Sequence, residues 1–344
     1  MTMRPGICRL AAVLIALLSM VQGLRADWAN VTELDSPVAL SRDQAKAKQA
    51  IIGKLTAQIA ANERFLSQSP DDPHVWESRI RLASAQGRLA SLQTDKAGVQ
   101  KAVSKLKELE RSVPDRNLRA EAMFRRITLQ WQDLGDSPDA RRENARALAM
   151  QFSQDYPQDR RAARLLAEAA DLSNYHPGEK KKLLELALSL CTEDSLLQRL
   201  KDDQLQLQQL GRPVNLRFTA TDGTKVDLAD ERGKVTAVVF WSAESAPSLV
   251  WMGYFAKYAD SVPSLRVVTV SLDRNRADLD AAMHSLHLLW PTSFDGQGWQ
   301  NAIARKFGIN TLPTLWLIDR KGNLAFLNAR DNYQLKINEL LLNK

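Results

Sequence analysis

Ser245 and Ser248 stand three residues apart around Pro247, directly after the apolar run TAVVFW at 236–241. A hydroxyl so placed can cap a helix, or it can attack as a nucleophile if an adjacent base, itself held by a third group, takes its proton. Few bases are on offer. The chain has four histidines, His74, His176, His284 and His287, and only the last two follow the serines. Their spacing of three puts both on one helix face, but two imidazoles without a third ligand make a surface pair rather than a metal centre. Thiol chemistry is equally sparse. Cys8 lies in the apolar N-terminal segment, and Cys191 lies in the helical run LLELALSLCTE, where a buried structural thiol is expected. These residues call for no metal and no cofactor.

Residues 1–26 read as an export signal. Arg4 and Arg9 give a basic start, Leu10 to Val21 is an apolar run too short for a comfortable membrane span, and Gly23 or Ala26 could precede the cut. No cysteine follows the run to carry a lipid, so the expectation is a periplasmic or secreted protein without further membrane attachment. Cleavage removes three arginines and no acids, which lowers the formal charge from +7 to +4. It also removes Cys8, leaving one cysteine and no internal disulfide. A charge this mild, with its arginine pairs in helical segments, excludes a nucleic-acid-binding role built on a basic patch.

From 27 to 212 the pattern is helical. Prolines recur in polar turns at Pro70, Pro114 and Pro157, 44 and 43 residues apart, an interval that holds a helical hairpin. The pairs Ile80 and Ala83, Phe124 and Ile127, and Ala167 and Ala170 fall at equal distances from these prolines and share a helix face by spacing. This is an all-α hairpin array, similar in style to tetratricopeptide repeats though longer in period. Such arrays present surfaces that bind other proteins, or simply pack on a neighbour. Gly211 and Pro213 stop the last helix, and the boundary is drawn there.

Beyond 213 the period changes. LRFTA and KVDLA flank the turn TDGT, TAVVFW and LRVVTVSLD are buried-strand runs followed by helical stretches, and PTLWLID and LAFLNAR flank RKGN before the closing segment QLKINELLL. The expected order is a hairpin, a β-α-β unit with a parallel pair, and a β-β-α ending.

The segments GKVTAVVFWSAESAPS (233–248) and GINTLPTLWLIDRKGNL (308–324) resemble the two signatures of the thioredoxin-like TlpA and ResA branch of the redoxin (AhpC/TSA-related) family, over about 213–344. Phe240, Trp241 and Pro247 match that family's pattern, Ser245 and Ser248 fall on its two redox cysteines, and Glu244 replaces a tryptophan. The resemblance implies an α/β thioredoxin-like domain, a helix beginning at Ser245, and a cis-proline at Pro313. In the family the first thiolate attacks a disulfide and the second cysteine resolves the intermediate; a serine hydroxyl does neither. No catalytic residue is therefore expected at Ser245 or Ser248. Leu312, Pro313, Thr314, Trp241 and Glu244 remain as a groove for an extended peptide or protein partner. The resemblance also leaves open a thiol-disulfide oxidoreductase working through Cys191 or a partner's thiol.

Overall fold

The computed structural model describes residues 28–36 and 43–342; the expected export signal lies outside them. The chain divides between Asp159 and Arg160 into two compact units. Among the described residues no helix is long and apolar enough to cross a membrane.

The first unit is helical: α1 (Trp28–Glu33), α2 (Gln44–Gln68), α3 (Val75–Leu92), α4 (Lys96–Ser112), α5 (Arg116–Gln130) and α6 (Pro138–Asp155). Asp43, Asp95, Asp115 and Ser137 cap α2, α4, α5 and α6 with their side chains, which satisfies N–H groups that the helices leave unpaired. The Pro70 and Pro114 turns join α2 to α3 and α4 to α5, the two hairpins the proline spacing predicts. Ile80 and Ala83 are buried as expected, in a core completed by Leu106, Leu109 and Leu129; Ile127 is buried as well, whereas Phe124 is only half-buried. The Pro157 turn stands where the two units divide.

The second unit begins with α7 (Arg161–Leu172), α8 (Pro177–Leu190) and α9 (Asp194–Gln209). A two-stranded hairpin follows, β1 (Arg217–Thr219) with β2 (Lys225–Asp227), and then β3 (Val235–Trp241), α10 (Ala246–Asp260), β4 (Leu265–Ser271), α11 (Arg276–Ser285), β5 (Thr292–Ser293), α12 (Ala302–Phe307), β6 (Thr314–Ile318), β7 (Leu324–Phe326) and α13 (Tyr333–Leu342). Strands β3 to β7 form one sheet in the order β5-β4-β3-β6-β7. β3 runs parallel to β4 and antiparallel to β6, and β6 runs antiparallel to β7. This is the thioredoxin-like arrangement, with β5 as an edge strand the sequence reading did not anticipate. Strand β3 is buried along its whole length, which is why it reads as an unbroken apolar run. Val235, Ala237, Val239 and Trp241 face a core with Met252, Phe255 and Ile337, while Val238 and Phe240 face one with Phe307 and Trp316.

The boundary drawn at Gly211 marks the change from helices to strands, and the compact unit extends back to Arg160. Packing explains this. Leu207 and Leu210 of the α9 region pack against the Phe240 side of the sheet core, and the chain beyond them bonds to β7 through Gly211 N to Leu324 O at 2.8 Å and Leu324 N to Arg212 O at 2.9 Å. Further along α9, Gln206 Nε2 donates to Gly308 O at 2.7 Å, and Asn310 Nδ2 donates to Asp203 Oδ1 at 2.8 Å. Gly308 ends α12 with φ of +68°, and a Cβ there would lie 2.6 Å from the Asp202 carbonyl oxygen.

Gly308→Ala combines left-handed strain with a backbone collision, so it should cost more than about 2 kcal/mol in chemical denaturation. Gly211→Ala, with φ of +75° but open space around the glycine, carries only the strain and should cost about 1 kcal/mol. Equal losses at the two sites would contradict the close approach of α9 to Gly308.

Candidate functional site

The site lies where β3 ends. Register pairs Trp241 with Ser271 of β4 and Phe240 with Thr314 of β6. Continuing the second register brings Pro313 opposite Trp241, and the Leu312–Pro313 bond is cis. The turn Ser242–Ser245 then leads into α10, so the serine pair and the cis-proline meet at one end of the sheet.

Ser245 is the N-cap of α10, and its hydroxyl accepts from Ser248 N–H at 3.3 Å. Pro247 fits the first turn because its missing N–H would have no helical partner there. Ser248 is fully buried and its hydroxyl has no hydrogen-bond partner. Glu244 is exposed beside the helix start, where its charge is favourable to the dipole. Of the remaining groove residues, Trp241 is fully buried and Thr314 is buried with its hydroxyl donating to Thr311 O at 2.8 Å. Leu312 is half-buried against the Phe240 side of the core. At this end of the sheet Glu244, Ala246, Pro247 and Thr311 are exposed, and Trp241 and Thr314 are buried.

The other candidate groups stand apart from this arrangement. Helix α11 stops at Ser285, and His287 beyond it has φ of +54°, so the two histidines do not share a helix face as their spacing predicted. Cys191 is half-exposed rather than buried. Its helix ends at Leu190, and the extended backbone at Cys191 carries the side chain off the stripe formed by Leu183, Leu184 and Ala187, to lie 3.4 Å from Glu193 O. It is the one free cysteine among the described residues.

The sequence reading missed Asp273, which is wholly buried just past β4. Its Oδ1 accepts from Ser242 Oγ at 2.7 Å and from Glu244 N at 3.3 Å, and its Oδ2 accepts from Ser271 Oγ at 2.7 Å. An acid closing the apolar strand LRVVTVSLD, with serine two residues before it, was the available signal. Asn310, three residues before Pro313, was missed as well. It reaches Asp203, whose carboxyl is pushed up by burial, with the Asn310 hydrogen bond opposing; burial also pulls the Lys180 ammonium down, against the attraction of Asp203.

Beyond the proline, the chain leading into α13 is tied to β6. Ala329 N donates to Leu315 O at 2.7 Å. Lys336, nearly buried, donates to the Asp331 carbonyl and the Tyr175 hydroxyl, and its ammonium lies 3.9 Å from the centre of the Tyr175 ring. Burial lowers Lys336 to about 8, with Asp331 opposing.

Residues 210–327 match the AhpC/TSA family. The thiol-disulfide oxidoreductase ResA of Bacillus thuringiensis (strain Al Hakam) is 26% identical over 146 residues, 42% of this chain and 82% of that protein, and ResA of Bacillus anthracis matches to the same extent. Among solved structures, the thioredoxin domain of a thiol-disulfide oxidoreductase from Bacteroides vulgatus aligns with 38% of this chain and 97% of its own, at 19% identity and a TM-score of 0.33. A thiol-disulfide oxidoreductase from Bacteroides fragilis aligns with 36% and 96%, at 20% and 0.32.

Two outcomes follow from this geometry. Ser245→Ala removes the cap and should cost about 1 kcal/mol, whereas Ser248→Ala removes a buried hydroxyl without a partner and should leave stability unchanged or raised; urea denaturation separates the two, and the reverse order would refute the cap. For Lys336, the folded protein releases its proton near pH 8 and the unfolded chain holds it to the ordinary value of 10.5. The unfolded state binds more protons in that window, so this group makes stability rise with pH from about 8 upward. Thermal melts across the window should show a shallower rise in Lys336→Met than in the parent, and an identical slope would refute the assignment.

Proposed function

We propose that this chain is an exported thioredoxin-like binding protein that keeps the redoxin scaffold and does not turn over disulfides. The observation that carries the reading is the pair Ser245 and Ser248 on the helix start, one hydroxyl serving as a cap and the other sealed in the core. An alcohol is scarcely ionised near neutral pH and forms no reversible bond to sulfur, so neither attack nor resolution has a group to perform it. What survives is an edge. Among the described residues neither the N–H nor the carbonyl of Leu312 has a hydrogen-bond partner, which suits pairing with an extended peptide, a form of strand addition. Export is read from the basic and apolar segment at 4–21. The matched relatives are named as thiol-disulfide oxidoreductases. The half-exposed Cys191 keeps a second reading in view, an oxidoreductase acting through that thiol or a partner's.

The purified chain should show no dithiol-dependent reduction of insulin, and the double variant Ser245→Cys with Ser248→Cys should gain it, because the helix start would then stabilise a thiolate. Robust turnover by the parent overturns the binding reading. Loss of that turnover in Cys191→Ser would assign it to the distant thiol.

A further inference from the structure

The helical unit before Asp159 contains a cavity of about 440 Å³ among α1, α2, α3 and α5, within the roughly 300–1,000 Å³ usual for small-ligand sites. Its lining is of two kinds. Val31, Ile51, Leu55 and Ala85 are aliphatic, while Lys54, Arg81, Arg88 and Arg125 bring positive charge against a single acid, Asp35.

Most of these polar groups already have partners. Asp35 pairs with Arg81, whose Nη2 also meets Glu77 at 2.9 Å. Lys54 donates to the Ser36 carbonyl. Arg125 Nε is held by Glu121, and its Nη1 lies 3.4 Å from Ser84 Oγ. Asn62, buried in the lining, donates to Gln58 O at 2.7 Å and accepts from Ser78 at 2.9 Å.

Two groups are left over. Arg88 makes no hydrogen bond or ion pair among the described residues. Ser84, one helical turn before it and 4% exposed, accepts from Arg125 and donates to nothing among the described residues. A planar guanidinium and a buried O–H are both donors, so the missing ligand group is an acceptor, and the unpaired positive charge makes it anionic. Lys54 and Arg88, which no acid among the described residues neutralises, favour an anion, and the aliphatic lining suits one carried on a short hydrocarbon body.

We propose that this cavity binds a carboxylate carried on a short aliphatic chain. A free branched acid and the C-terminal leucine of a peptide share that chemistry. The proposal is independent of the redoxin reading, since none of its residues belongs to the thioredoxin-like domain.

Calorimetric titration of the full chain with 4-methylpentanoate, 4-methylpentanamide, inorganic phosphate, and a leucine-ended pentapeptide as acid or amide tests it. The acid should bind at least about tenfold more tightly than its amide, the worth of one hydrogen-bonded charge, and more tightly than phosphate. Arg88→Ala, at an exposed position, should leave the melting temperature unchanged and reduce the acid to the level of the amide, and Arg88→Lys should recover part of the loss. Tighter binding of the peptide acid than of the free acid identifies a chain end as the ligand, and the opposite order a small acid; both uphold the site. Equal affinity for acid and amide, preference for phosphate, absence of binding, or binding undiminished by Arg88→Ala overturns it.

Discussion

A carboxyl group closed off from water must find donors, and Asp273 finds three at the ends of two parallel strands. That requirement fixes much of what surrounds the site. Ser242 and Ser271 stand at or just past the ends of β3 and β4, which finish level because Trp241 pairs with Ser271. The third donor is the backbone of Glu244, so the carboxyl holds the turn as well as the strands. A slip of one residue in the turn would leave a buried oxygen unsatisfied, at about 1–3 kcal/mol. With the turn fixed, Ser245 falls on the N-cap and Ser248 points into the core.

The cis-proline is held with comparable care from its other side. Gly308 and Asn310 lie against α9, and Ala329 and Lys336 hold the chain that runs beside Leu315. Asp203, far away in sequence, thus holds Asn310 in the loop before Pro313, while Tyr175 holds Lys336 and the chain at Asp331. The helices from Arg160 to Gln209 are on this account a supporting layer of the thioredoxin-like unit. Periodicity and packing draw different lines through the chain because they measure different things. Gly211 ends a helix, whereas the half-buried Leu207 and Leu210 and the bonds to β7 carry the core across that point.

Local rules made a large part of this legible in the sequence. Hairpin glycines, an unbroken apolar β3, proline turns and a serine at a helix start each act over a few residues, and each appears where its spacing placed it. The residues passed over share one cause, which is dependence on distant partners. Nothing near Asp273 in sequence reveals that Ser242 and Glu244 will come to it, and Asn310 reads as an ordinary loop residue until Asp203 is beside it. Helix ends account for the rest. Cys191 and His287 were read as though their helices continued, and each lies one or two residues past the last helical position, where the side chain takes a different direction. Of the groove residues read from the sequence, Trp241 and Thr314 are buried, because each sits in a strand covered on both faces.

The same constraints explain how the site keeps its shape with serine in place of cysteine. The Asp273 bonds, the cis-proline, the proline in the first turn and the α9 contacts all act through oxygen, nitrogen and packing, and none involves sulfur. At the helix start the dipole and the unpaired N–H groups would favour a negative charge, and a thiol can supply one by losing its proton. A hydroxyl there stays neutral and answers the same field with a single accepted hydrogen bond. The field persists and so does the geometry, but the group that would turn that field into nucleophilicity is missing. An intact scaffold at this position is therefore no argument for turnover, and what it would offer the partner proposed above is the unpaired backbone of Leu312 and the charge of Glu244.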